Sequence, residues 1–406
     1  MIFRTATALS MVVMGSAQAD WELYDREDWL SFAAHLRVVG AAGGGDFEEL
    51  AAHAHDPNRD LSLQGIEFAT SMRLNDHVHG FTTFNVFRSL DDDLDVDWEE
   101  GFLKFADLPG GFEVRGGRYL NRFGGQNSTH LHGWDFVDAN LVTAAFLGDH
   151  GLATEGAEVS WIWEGPVTSA FSFSFGNALG HSHGHDEHEE HEHEEEEHEE
   201  AEHEEEEHHH EHGHGAGEEA FFDDNLFTGR WLVRWDYNDF HRHEFGLNGG
   251  WGENGYGRDT QLYSGDYYYT YRENGLEPGG RFLRLGAELY FRDVEWAHEE
   301  DGHAERGDAD HWGVVASATY GFAENWEAGL RYDYIEGVES GPEPEETIFA
   351  VEERHRYSAA LTRRFQLAED FSALARLQVN FDDLPDEDEQ SVYLQLGFDW
   401  GGPEVR

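Results

Sequence analysis

The stretch FSALARLQVNF, residues 371–381, alternates apolar and polar side chains with a period of two. The apolar set runs through every second residue from Phe371 to Phe381, and the intervening positions include Arg376 and Gln378. Successive side chains of a strand point to opposite faces, so a period of two is strand geometry. The stretch therefore predicts a strand with one apolar face and one polar, charged face.

The same alternation recurs along the chain, as in VTSAFSFSFGN at 167–177 and VYLQLGFDW at 392–400. Counting such stretches predicts sixteen strands, near residues 32–44, 61–74, 77–88, 96–107, 112–119, 153–164, 166–177, 225–237, 241–252, 261–272, 281–293, 310–322, 326–337, 351–364, 370–382 and 390–400. The connections between them alternate between short and long. An even number of strands joined in this way is typical of bacterial outer-membrane barrels.

A soluble β-sandwich would also show alternating strands, but two features argue against one. The polar face carries charges, often Arg, in strand after strand, and the apolar face ends in aromatics such as Trp231, Trp235 and Tyr237. Only a closed barrel lets strands cross lipid without unpaired backbone groups. We therefore predict an all-β protein, a transmembrane antiparallel β-barrel of about 16 strands in the outer membrane of a Gram-negative cell.

The N-terminal residues 1–19, MIFRTATALSMVVMGSAQA, have an early Arg4, a short apolar run and small residues before Asp20. This pattern predicts a cleaved secretory signal peptide, which leaves residues 20–406 as the barrel. The chain has no Cys, so no disulfide holds the exported protein together. The formal net charge of −59 excludes a nucleic-acid partner, because the phosphate backbone would be repelled.

With the first strand running outward, the long connections lie outside the cell and the short turns face the periplasm. The fourth external loop, residues 178–224, contains a stretch at 181–215 that we call the His/Glu segment. It holds thirteen His and seventeen acidic residues, and no apolar side chain larger than Ala. Because it cannot bury apolar surface, its sequence predicts disorder.

The third external loop, residues 120–152, holds apolar residues such as Trp134, Phe136 and Phe146. A long, partly apolar loop is unfavourable in water, so we expect it to fold into the lumen and narrow the pore. An acidic loop facing inward-pointing arginines would set a transverse field. The residues predicted at this constriction are Asp135, Asp138, Asp149, Arg115, Arg230, Arg234 and Arg284, with Arg292, Arg331 and Arg376 as further inward arginines.

Two adjoining stretches resemble known proteins. GFLKFADLPGGFEVRGGRYLNRFGGQN, residues 101–127, resembles the Gram-negative outer-membrane porin superfamily, including its phosphate-selective-porin-like branch. THLHGWDFVDANLVTAAFLGDHGLATEGAEVSWI, residues 129–162, resembles outer-membrane barrel proteins that are linked to zinc-regulated genes and sometimes labelled TonB-dependent receptors. The resemblance implies a channel in outer-membrane lipid and, by analogy with sixteen-strand porins, a homotrimer.

The histidines are candidate metal ligands, because zinc accepts imidazole nitrogen and carboxylate oxygen where no thiolate is present. A His-X-His pair in an extended chain places both rings on one face. The predicted ligands are His130 and His132 of the third loop and, in the His/Glu segment, His181, His183, His185, His188, His191, His193, His208, His209, His210, His212 and His214. A sixth external loop, residues 294–309, adds His298, His303 and His311 nearby.

The same histidines also have interpretations that involve no metal. The His/Glu segment is also consistent with an acidic spacer that binds no metal. His130 and His132 are also consistent with a structural pair that is hydrogen-bonded to the loop or the wall. We expect no tightly bound cofactor, and weak binding of zinc or other divalent metal ions at the external loops.

The function that these patterns favour is a passive outer-membrane channel for small solutes, whose His- and acid-rich loops capture divalent metal, zinc above all, for uptake. One alternative is a general or anion-handling porin whose acidic loops only reflect the habitat. Another is a barrel that anchors metal sequestration or adhesion without transport. The sequence has no paired Ser and His at outward strand positions, so an outer-membrane hydrolase is not expected.

Overall fold

The computed structural model describes residues 30–44, 61–89, 93–148, 150–179, 220–275, 277, 279–300, 303–342, 347–385 and 388–402. Eighteen strands lie within these ranges: β1 (Leu30–Gly44), β2 (Ser62–Arg73), β3 (Val78–Arg88), β4 (Leu94–Leu108), β5 (Phe112–Leu120), β6 (Ala153–Trp163), β7 (Thr168–Ala178), β8 (Phe222–Asn238), β9 (His241–Asn254), β10 (Asp259–Arg272), β11 (Phe282–Glu300), β12 (His303–Ala323), β13 (Trp326–Ile335), β14 (Val338–Ser340), β15 (Phe349–Val351), β16 (Arg354–Ala368), β17 (Phe371–Asp383) and β18 (Asp388–Gly401). A 3₁₀ turn at Leu131–Gly133 and a helix α1 at Leu141–Leu147 lie between β5 and β6.

Sixteen of these strands close into one antiparallel barrel, and β14 and β15 form a separate two-stranded hairpin. The barrel closes where β1 pairs with β18, with Ala33 opposite Gly401 and Val39 opposite Gln395. Each barrel strand therefore has a partner on both sides, and no sheet edge faces the lipid. The sixteen strands predicted from the alternation are confirmed.

The two faces of the barrel strands differ as the alternation requires. In β17, Leu377 is 48% exposed on the outer face, whereas its neighbour Gln378 is 0% exposed on the inner face. Aromatic rings collect on the outside near the short turns, where Phe171 stacks on Trp231 with centroids 5.9 Å apart. An apolar exterior with aromatic rings around a polar interior is the surface of an outer-membrane barrel. The predicted fold class and outer-membrane location are confirmed.

The prediction that residues 294–309 form the sixth external loop is wrong. Strands β11 and β12 continue through it, with Trp296 opposite Gly307. The reason is a group of inward apolar residues that the acidic composition conceals: Val294, Trp296 and Ala309 are buried in one cluster with Phe349 of β15. The indole of Trp296 also donates to Ser340 Oγ at 2.8 Å, which attaches this extension to the β14–β15 hairpin.

Residues 121–148 and 150–152, called here the inner segment, run inside the barrel. Their helix α1 begins after Asn140, whose side chain accepts a hydrogen bond from the Thr143 backbone N–H at 2.7 Å. All seven residues of α1 are buried, and Phe146 lies in a cluster with Val315 and other wall residues. Among the described residues, no helix is long and apolar enough to cross a membrane.

Candidate functional site

The inner segment is tied to the barrel wall through Asp138. Its carboxylate accepts hydrogen bonds from Arg331 at 2.9 Å and from Arg356 at 3.0 Å. Gln378 and Asn380 of β17 donate to the same carboxylate, at 2.6 and 3.1 Å. Burial alone would raise the pKa of Asp138, but the two guanidinium groups outweigh it and hold that pKa below its ordinary value. Asp138 is therefore a fixed anion bound to the wall.

A second set of contacts holds the neighbouring residues. Arg284 of β11 donates to Asp135 at 2.5 Å, and Thr319 donates to the other Asp135 oxygen at 3.0 Å. Arg376 of β17 donates to the backbone carbonyls of Phe136 and Trp134, both at 2.7 Å. Residues 134–138 are thus fixed against β11, β13, β16 and β17, and they occupy that side of the lumen.

The structure places the predicted constriction residues at several different positions. Asp135, Asp138 and Arg284 meet where the inner segment contacts the wall. Two other predicted arginines pair with carboxylates of the wall itself, Arg115 with Glu158 at 2.8 Å and Arg230 with Asp266 at 2.9 Å. Arg234 lies opposite Glu244 in the β8–β9 register. Asp149 lies outside the described residues.

Nearer β2 and β4, His130 of the inner segment lies among carboxylates. Its Nδ1 lies 2.6 Å from Glu99 Oε2 and 3.5 Å from Glu67 Oε1. Its Nε2 lies 2.9 Å from Glu100 Oε2. The imidazole is buried, with 2% of the side chain exposed. Both ring nitrogens therefore face a glutamate, and Nδ1 faces two.

A second layer surrounds this cluster. The His132 backbone N–H donates to Glu67 Oε2 at 2.8 Å, and its Nδ1 lies 3.1 Å from the same oxygen. The His35 ring of β1 stacks on the His132 ring with centroids 3.8 Å apart. Asp399 of β18 accepts from both His35 and Arg37, each at 2.8 Å. The inner segment is thus anchored to β2 and β4 through imidazole–carboxylate contacts, and to β1 through the stacked ring of His35.

Three described groups have the composition and spacing of a metal site. One ligand atom each from Glu67, Glu99 and His130 lies within 4.8 Å of the other two. Nitrogen and carboxylate oxygen together suit zinc and other borderline divalent ions. The predicted ligands of the His/Glu segment lie outside the residues that the structure describes.

Comparison with known proteins supports the same architecture. An anion-selective porin from Comamonas acidovorans matches 92% of this chain and 99% of its own, with a TM-score of 0.50 and 12% identity. The outer membrane channel DcaP of Acinetobacter baumannii matches 92% of this chain and 96% of its own, with a TM-score of 0.52 and 9% identity. The chain has the porin fold.

Sequence comparison adds little beyond this porin fold. No family model matches the chain. An uncharacterized protein of Aquifex aeolicus (strain VF5) is 41% identical over 64 residues, which are 16% of this chain and only 13% of that protein.

The sequence patterns identified His130 and His132 but not Glu67, Glu99 and Glu100 of the barrel wall. For Glu99 and Glu100 the reason is a β-bulge. Between the pairs Thr83–Glu100 and Asn85–Asp97, β4 contains one residue more than β3. A bulge of this kind breaks the period of two and turns neighbouring side chains toward the same face. Both Glu99 and Glu100 consequently reach His130 from adjacent positions.

Proposed function

We propose that the protein is a passive outer-membrane channel for small solutes, and that its external His- and acid-rich loops capture divalent cations, zinc above all, for uptake. The observation that carries this proposal is the inner segment, which brings Asp135, Asp138, His130 and His132 to the inner face of a closed barrel. A barrel that served only as an anchor would not need a charged segment folded into its lumen.

The charge of the chain favours cations as the permeant ions. The sequence has 85 acidic residues against 26 Lys and Arg. The His/Glu segment carries 17 of the acidic residues, which leaves the rest of the chain at −42. A channel mouth with a large excess of negative charge raises the local concentration of cations.

Capture at the loops would be weak and multivalent. Many imidazole and carboxylate groups on one segment give a high local ligand concentration, so an ion that leaves one ligand is rebound by the next. Such a loop would raise the metal concentration at the channel mouth without an energy source.

Planar-bilayer recording tests the channel proposal. Purified protein should form stable pores, and in a potassium chloride gradient the reversal potential should have the sign of a cation-selective channel. A reversal potential of the opposite sign would favour the anion-handling alternative. The absence of any pore, with correctly inserted protein, would favour a barrel that only anchors sequestration or adhesion.

A further inference from the structure

We infer that Glu67, Glu99 and His130 form a binding site for one divalent transition-metal ion of the zinc type inside the barrel. Glu100 positions the imidazole through its contact with the remote ring nitrogen, His130 Nε2. The site is distinct from the His/Glu segment and lies on the inner face of β2 and β4. Its existence does not depend on whether the channel conducts.

The ligand atoms lie within 4.8 Å of one another, and their distances to His130 Nδ1 can be compared with those around a tetrahedral ion. Bonds of about 2.0–2.1 Å at tetrahedral angles place two ligand atoms about 3.3 Å apart. His130 Nδ1 and Glu67 Oε1 are already 3.5 Å apart. Glu99 Oε2, at 2.6 Å from Nδ1, has to move outward by a fraction of an ångström. Glu99 can do so, because Thr83 and Asn85 hold it only through contacts of 3.4 Å.

A buried oxygen without a hydrogen bond points to a missing ligand. Glu67 is 1% exposed, and its Oε2 accepts from the backbone and faces the ring of His132. Its Oε1 has no hydrogen-bond partner among the described residues. A buried carboxylate oxygen left without a partner is costly, and it is normally satisfied by a donor or a cation. This oxygen faces His130 Nδ1, on the side where the ion would sit.

The back of the imidazole has the arrangement that metal-binding histidines use. His130 Nε2 faces Glu100 Oε2 at 2.9 Å, and the Leu120 backbone N–H donates to Glu100 Oε1 at 3.0 Å. A carboxylate that accepts the remote N–H fixes the tautomer and leaves the other nitrogen to the metal. The metal ion binds the lone pair of Nδ1, and a proton shared between Nδ1 and Glu99 before binding is released to solvent.

The donor set also defines the class of ion. One imidazole nitrogen and two carboxylates suit zinc and its borderline neighbours, whereas calcium prefers six or more oxygens and does not use imidazole. The competing arrangement is a protonated His130 that donates to Glu99 and Glu100 and binds no metal.

The test is zinc retention by the full chain in detergent, measured against a chelating competitor of graded concentration. The variants are Glu67→Gln, Glu99→Gln and Glu100→Gln, with Glu113→Gln as the matched control. Glu113 is a buried wall carboxylate of β5 outside the cluster, 8% exposed. The His/Glu segment is present in every sample, so its contribution cancels in the comparison.

The wild type and Glu113→Gln should each retain one tight zinc per chain at chelator concentrations that remove the weakly bound ions of the His/Glu segment. In Glu100→Gln, which removes the positioning residue, the zinc affinity should fall by about 10–100-fold. In Glu67→Gln and Glu99→Gln, which remove a ligand, it should fall further. Equal retention by all variants would overturn the inference. Heat-modified gel mobility checks folding, and Glu99→Gln, the least buried ligand, serves if Glu67→Gln does not fold. The readout is metal retained in detergent, so a non-conducting protein that retains zinc refutes the channel and not the site.

Discussion

Asp138 of the inner segment accepts a hydrogen bond from Arg331 of β13 at 2.9 Å, and this contact attaches the inner segment to the barrel wall. Replacing Asp138 with Asn leaves the buried guanidinium groups of Arg331 and Arg356 without their shared anion. Arg331 keeps Asp333 and Arg356 keeps Asp382 as partners, so the cost is that of lost charged hydrogen bonds, about 1.5–3 kcal/mol. We expect Asp138→Asn to lower the unfolding free energy in mild detergent by that amount. Asp236→Asn, which breaks the exposed pair with Arg242, should cost under about 1 kcal/mol. Equal effects of the two substitutions would contradict the account.

The same pair predicts a pH dependence. The folded-state pKa of Asp138 is lowered, so its stabilising contribution is complete above its unfolded pKa and is lost as the pH falls through the folded one. The stability difference between wild type and Asp138→Asn should therefore be constant near neutral pH and shrink below about pH 4, where an ordinary Asp gains its proton. Unfolding measured across this range checks it. A difference that grew on acidification would have the wrong sign.

For Arg292 of β11 we expect a substitution that does not lower the unfolding free energy. It is 1% exposed, and its two terminal nitrogens have no hydrogen-bond partner among the described residues. Its guanidinium carbon lies 5.4 Å from the ring centre of Phe146 in α1 and 4.9 Å from that of Phe221. Methionine would keep this packing and remove a poorly compensated buried charge. Arg292→Met should not lower the unfolding free energy, and a loss above about 2 kcal/mol would show that the charge has a partner that this account lacks.

The His/Glu segment predicts a separable binding activity. Metal ions compete with protons for imidazole, so a peptide of residues 181–215 should bind several zinc ions near pH 7.5 and lose most of them by about pH 5. Excess calcium should leave the zinc in place, because it competes only for the carboxylates. Calorimetry on the peptide decides this. Zinc heat no larger than that of buffer would make the segment an acidic spacer.

The sequence predicted the barrel well because the period of two is a local signal that sixteen strands repeat. The sequence also named His130 and His132 as candidate metal ligands or as a hydrogen-bonded structural pair. The wall contacts of the inner segment were not predictable, because partners such as Gln378 and Asp138 are 240 residues apart in the chain and meet only through barrel closure. The bulge that turns Glu99 and Glu100 inward erases the alternation by which inward positions are recognised. The strand extension at Trp296 was missed because acidic residues dominate there.

Zinc flux into liposomes that contain a zinc-responsive dye tests the central claim most directly, since it asks whether the pore carries the ion that the loops are proposed to collect. Wild-type protein should admit zinc. Deletion of residues 181–215 should slow entry at low zinc, because the segment is proposed to raise the local zinc concentration. It should leave potassium conductance close to unchanged at high ionic strength, where the lost acidic charge is screened. Liposomes that conduct potassium and exclude zinc, or a deletion variant that admits zinc at the wild-type rate, would contradict the proposed function.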